Sequence, residues 1–130
     1  MKIAVKPEPQ QIQELLKGPA DQPVVMVNLL RFKKAADDGD RTGEAAYREY
    51  GAAMRKLVEG AGGRFIWAGR VDSQVLGESD VDFDVVGIVE YPSRKAFIEI
   101  SSSPEFRAIE GNRTAGLEGQ WLLASSTTEL

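Results

Sequence analysis

The sequence predicts an α+β domain of the ferredoxin-like, split βαβ kind: a four-stranded antiparallel sheet with its helices on one face. Three observations predict it. Hydrophobic periodicity switches between two and 3.6 residues in the order strand, helix, strand, strand, helix, strand, after a short extra N-terminal helix. Glycine and proline punctuate the joints at Gly18-Pro19, Gly60-Ala-Gly-Gly63, Pro92 and Pro104, with no repeat or linker between them. Two strands, Val24–Phe32 and Phe83–Tyr91, are apolar at both parities, so neither face of either strand is built for water.

Met1–Val5 reads as a short strand. Pro7-Glu-Pro9 then opens a helix with Ile12, Leu15 and Leu16 on one face, and Gly18-Pro19 stops it. Two turns of apolar face cannot stand alone in water, so residues 1–22 are an appendage that docks on the domain at 23–126. The strand Val24–Phe32 carries Val24, Met26, Asn28, Leu30 and Phe32 on one face and Val25, Val27, Leu29 and Arg31 on the other. A polar loop leads to a helix over 44–59, capped by Thr42 or Asp40, whose apolar face is Ala46, Tyr47, Tyr50, Met54, Leu57 and Val58. Arg64–Leu76 alternates as a strand, with Phe65, Trp67, Gly69, Val71 and Val75 on one side. An acidic loop, Gly77–Asp82, leads into Phe83–Tyr91.

Ser93 caps a helix bearing Ala96, Phe97 and Ile100, which Ser101-Ser-Ser103 interrupts; Ser103 and Pro104 restart it with Phe106 and Ile109. Arg113, seven residues beyond Phe106, shares that face, and a solvated guanidinium at the helix end is expected over an inward one. Gly119–Ser126 closes as the last strand, with a loose tail to Leu130.

Composition excludes more chemistry than any motif supports. At 130 residues, 42% hydrophobic and 28% charged, the chain affords one core. Sixteen basic residues against 20 acidic ones leave a charge of −4, and only Arg31-Phe-Lys33-Lys34 clusters, so no nucleic-acid partner is expected. Without cysteine or histidine there is no disulfide, thiolate nucleophile, His-ligated haem or Ser-His-Asp triad. No metal is expected: Asp37-Asp-Gly-Asp40 has glycine at the third position of a calcium loop and Arg48 at the twelfth, where a bidentate glutamate belongs. Gly60–Gly63 follows a helix and lacks the lysine of a nucleotide loop, and no cofactor is expected. No apolar run nears the roughly 20 residues that cross a bilayer, so the expectation is a cytoplasmic protein with no membrane partner.

The doubly apolar sheet bears on assembly. Each large apolar side chain left wet forgoes about 1.5 to 3 kcal/mol of burial, so the face without helices is expected to pack on a second copy, giving a homodimer through sheet faces.

Pro23-Val-Val-Met-Val-Asn-Leu-Leu-Arg-Phe32, Tyr47, Tyr50, Gly62-Gly-Arg64, Glu90-Tyr-Pro-Ser93, Ser103-Pro-Glu-Phe106 and Arg113 together resemble domain-of-unknown-function family 1330, over about Pro23 to Ala124. The resemblance implies the dimeric α/β-barrel superfamily, and with it a pocket between sheet and helices that binds or transforms a small aromatic or keto molecule without metal or haem. Its ligand-binding candidates here are Asn28, Arg31, Tyr47, Tyr50, Trp67, Tyr91 and Arg113: Asn28 to orient a carbonyl or phenolate, Tyr47 or Tyr50 to donate, Trp67 and Tyr91 to stack, Arg31 or Arg113 to hold an anion. The competing reading is a non-catalytic dimeric structural or regulatory module, in which Asn28 is a satisfied core amide.

Overall fold

A computed structural model describes residues 2–130. The elements are α1 (Pro9–Leu16), β1 (Val24–Phe32), α2 (Gly43–Gly60), β2 (Arg64–Arg70), β3 (Val85–Tyr91), α3 (Arg94–Ser101), α4 (Pro104–Gly116) and β4 (Leu117–Ser125). Side-chain caps start three of the helices where the sequence supplies them. Thr42 accepts from the Ala45 amide at 3.1 Å, Ser93 from Ala96 at 3.0 Å and Ser103 from Phe106 at 3.2 Å, with Pro104 opening α4.

The strands pair antiparallel in the order β2-β3-β1-β4. This is the ferredoxin-like arrangement. Met26 lies opposite Val89 and Val24 opposite Tyr91, which fixes the face that meets the helices. The core there is Val24, Met26, Tyr50, Met54, Val58, Val89 and Tyr91, with Phe65, Phe97, Phe106 and Ile109 packed around it. On the opposite face, register gathers Val25, Val27, Leu29, Val86, Ile88, Trp121 and Leu123, and no helix covers them.

Several elements depart from their sequence boundaries. β2 ends at Arg70, not Leu76: the Val71 amide still bonds the Asp84 carbonyl at 2.9 Å, and the chain then leaves the sheet. The alternation of 71–76 continues with no strand to pair, and Val75 and Leu76 are almost fully exposed. A bulge between Phe65 and Trp67 also breaks the parity: Phe65 stays with the core while Trp67 pairs with Ile88 on the uncovered face. There the indole occupies the space that a side chain at Gly69 would fill. The expected strand at 1–5 contracts to one bridge, Ala4 with Gln120, and Met1 lies outside the described residues. That bridge, with Trp121 Nε1 donating to the Lys2 carbonyl at 2.7 Å, still shields the outer edge of β4.

The appendage docks through a cation. Arg94, 8% exposed, donates to the carbonyls of Leu15 and Pro19 and to Ser126 Oγ at 3.1 to 3.3 Å, tying the end of α1 and the C-terminal segment to the start of α3. Gly18 leaves room for the guanidinium, since a Cβ there would overlap it.

α2 and α4 cross on small residues. Ala36, Ala46 and Ala115 form a second buried cluster beside Gly43 and Gly116. A Cβ on Gly43 would strike the Lys33 carbonyl and approach the Gly116 carbonyl to 2.7 Å, and one on Gly116 would strike the Gly43 backbone. Backbone that close has no soft neighbour to displace. Gly116→Ala should therefore lower unfolding free energy by about 1 to 3 kcal/mol in urea melts, whereas Gly51→Ala, with nothing within 4 Å, should be neutral or stabilising.

Candidate functional site

The sheet divides the sequence-derived candidates into two groups. Asn28, Tyr47, Tyr50, Tyr91 and Arg113 gather between the sheet and the helices. Arg31 and Trp67 lie on the uncovered face, because odd positions of β1 point there and the β2 bulge turns Trp67 outward. Arg31 is bound to Glu118 and donates to the Asp82 carbonyl at 2.9 Å, and the Glu118 carboxylate raises its already high pKa.

A hydrogen-bonded chain crosses the inner group. Arg113 donates Nη1 to the Val5 carbonyl at 2.6 Å and Nη2 to Gln120 Oε1 at 2.7 Å. Gln120 in turn donates to Asn28 Oδ1 at 3.2 Å, and Asn28 Nδ2 donates to the carbonyls of Gly87 at 3.2 Å and Met26 at 3.4 Å. The expected solvated arginine is thus corrected. α4 continues through Gly116, so the seven-residue spacing carries Arg113 inward with Phe106. Gln120, which sequence reading passed over, is 8% exposed at the centre of the chain; its helix-facing parity in β4 was the available signal.

The tyrosines are placed by ring contacts. Tyr47 packs on Phe32 at 5.3 Å and on Tyr50 at 5.2 Å, Tyr50 meets Phe106 at 6.1 Å, and Tyr91 stands edge-on to Phe97 at 5.0 Å. Among the described residues none of their three hydroxyls makes a hydrogen bond, yet no buried side-chain polar atom is left without a partner. Each hydroxyl therefore reaches accessible space. Burial pushes the Tyr47 phenol up to about 12, with the Arg113 charge pulling the other way. It raises Tyr50 and Tyr91 further; Tyr47 adds to both, and Arg113 again opposes at Tyr50.

Glu110, one turn before Arg113 on α4, also raises Tyr50, and its half-buried carboxylate forms no ion pair among the described residues. Its spacing from Phe106 and Arg113 was the sequence signal. Two solvent-open grooves lie elsewhere. One of about 380 Å³ runs along Phe32, Lys33, Lys34, Thr42, Arg48 and Asp84, and one of about 410 Å³ along Lys56, Leu57, Gly60, Glu99, Ile100 and Ser103. Phe32 lines the first and packs on Tyr47, which makes it the wall between that groove and the phenols.

The family model for a domain of unknown function, DUF1330, matches residues 38–127. The chain belongs to the DUF1330 family. Crystal structures of the RPA0582 protein of unknown function from Rhodopseudomonas palustris, and of its methylated form, are similar at TM-score 0.88, with 28% and 29% identity. The alignments cover 99% of this chain and 100% and 98% of theirs, so the likeness of this DUF1330 chain extends through α1 and β1. A dabb family protein with a ferredoxin-like fold from Mesorhizobium loti shares the fold at TM-score 0.53 and 13% identity, over 82% of this chain and 98% of its own. No curated protein matches. Among the described residues no helix is long and apolar enough to cross a membrane.

The raised Tyr47 pKa has a consequence for stability. The folded chain keeps that proton above pH 10, where the unfolded phenol, of ordinary pKa 10.0, has lost it. The contribution is whole below about pH 10 and lost as pH rises towards 12. Urea midpoints should fall over that range, and less steeply for Tyr47→Phe; equal slopes would show a solvated hydroxyl.

Proposed function

We propose that this DUF1330 protein binds, and in that site transforms, a small aromatic or keto molecule in the space between sheet and helices, without metal or haem. The observation that carries the reading is the trio of phenols, buried Tyr50 and Tyr91 and half-buried Tyr47, whose hydroxyls open on accessible space with no protein partner among the described residues. Donors that meet accessible space and no protein acceptor are free to bond a ligand. Asn28 takes a different role from the one first given to it. Its amide is committed to Gln120 and to two carbonyls, so it positions Gln120 and thereby Arg113 rather than touching ligand. The same saturation favours the second reading, a non-catalytic module in which the chain of polar groups merely holds β1, β3, β4 and α4 together.

One experiment separates the two. Aromatic and keto compounds would be screened by thermal shift against the protein, then against Tyr50→Phe and Asn28→Ala. Under the binding reading Tyr50→Phe melts no lower than wild type, because its hydroxyl bonds nothing, but loses several-fold in affinity. Asn28→Ala should cost about 1 to 3 kcal/mol of stability under either reading, for the partners it leaves unpaired. No ligand in the screen, with Tyr50→Phe more stable than wild type, would favour the structural module.

We further propose that the uncovered sheet face packs on a second copy. Its centre is aliphatic and aromatic, while Arg31 with Glu118 and Arg64 with Glu90 form ion pairs toward the edges, the distribution of an interface core and rim. Trp67 is 58% exposed and Leu123 49%, more wet surface than a lone domain of this size spends without cause. Sedimentation velocity at low micromolar concentration should give a dimer, and Ile88→Lys, in the middle of that face, a folded monomer. A compact wild-type monomer would remove this assignment.

A further inference from the structure

The inner site is rich in donors and short of acceptors. Tyr50 and Tyr91 are 7% and 5% exposed, and with Tyr47 they offer three O–H groups that no protein atom receives among the described residues. Arg113 spends Nη1 and Nη2 on the neutral oxygens of Val5 and Gln120 and pairs with no carboxylate among the described residues. Arg113 shares a face of α4 with Phe106, whose ring meets Tyr50 at 6.1 Å, and Tyr50 meets Tyr47 at 5.2 Å. A Cβ on Gly116 would lie 3.0 Å from the Tyr47 amide nitrogen, so α4 brings the guanidinium to the side of the fold that holds these two phenols. Half-buried cations elsewhere in the chain have acidic partners: Arg41 holds Asp38 and Glu49, and Arg31 holds Glu118. Arg94, the other guanidinium shielded from solvent that lacks one among the described residues, is enclosed by three oxygens and the Gly18 backbone. Glu110, which adds to the rise at Tyr50, makes no ion pair with Arg113 among the described residues.

A site with one uncompensated guanidinium, three free hydroxyl donors and a single carboxylate off to one side suits a ligand with an anionic acceptor group. We propose that the ligand is a small organic acid, its carboxylate held by Arg113 and the hydroxyls of Tyr47 and Tyr50, and its remaining body lodged against Phe32 and Phe106. This rests on the binding reading given above and narrows it to a class. The carboxylate supplies the acceptors that the phenols lack and the negative charge that Arg113 lacks. A neutral carbonyl of the same shape supplies only the first.

The test compares acids with neutral counterparts of like shape. Benzoate and phenylpyruvate, against benzamide and phenylacetone, would be titrated into the full-length protein by calorimetry and thermal shift at neutral pH. The acids should bind at least about tenfold more tightly than the neutral compounds. Arg113→Gln should erase that difference. Since Arg113 also anchors Val5 and Gln120, Tyr47→Phe and Tyr50→Phe serve as variants that disturb no protein hydrogen bond, and each should weaken the acids several-fold while leaving the melting point in place. Equal binding of acids and neutral compounds would overturn the acid assignment and keep the pocket. Binding of none of the four would overturn both.

Discussion

The structure depends on a sheet that is apolar on both faces while its own helices can cover only one. β1 and β3, at the centre, present Val24, Met26 and Val89 to α2 and the α3–α4 pair, and Val25, Val27, Leu29, Val86 and Ile88 to the other side. The two helical connections, β1–α2–β2 and β3–α3–α4–β4, are split βαβ crossovers that run in opposite directions from antiparallel strands, so right-handed crossovers lay both on the same face. The remaining apolar surface is therefore a property of the topology. It also explains why polar chemistry concentrates on the helix side, where α2 and α4 bring side chains from outside the sheet.

Within that layer the polar groups play unlike parts. The chain from Val5 through Arg113, Gln120 and Asn28 to Gly87 is closed at each link and ties the N-terminal segment to α4, β4, β1 and β3. It resembles scaffolding whose cost of burial is met by its own hydrogen bonds. The tyrosines beside it are open-ended. Arg113 belongs to both sets, oriented by the chain and exerting its charge on Tyr47 and Tyr50. The tight crossing of α2 and α4 at Gly43 and Gly116 supports the same corner, since it sets how closely Tyr47 and Arg113 approach.

What sequence reading missed has identifiable causes. Trp67 was grouped with Phe65 by strict alternation, and one inserted residue at the bulge moved it to the opposite face. Residues 71–76 kept a strand's pattern with no strand to pair, because pattern reports side-chain chemistry and not the presence of a hydrogen-bonding neighbour. Ala46 was placed on the apolar face of its helix, but its contact with Ala115, like that of Gly43 with Gly116, joins segments far apart in the chain, which no local window sees. Gln120 and Glu110 were passed over because single polar residues in a strand and a helix carry no signal until the partner is known.

The amino-acid sequence by itself determined the order and type of the main elements, the caps at Thr42, Ser93 and Ser103 and the doubly apolar central strands, because each of these is written in short-range periodicity and turn chemistry. Tertiary structure alone decided which candidates meet. Asn28, the three tyrosines and Arg113 converge while Arg31 and Trp67 face away, since that outcome depends on strand register, one bulge and the length of α4, and each of these acts between segments far apart in the chain.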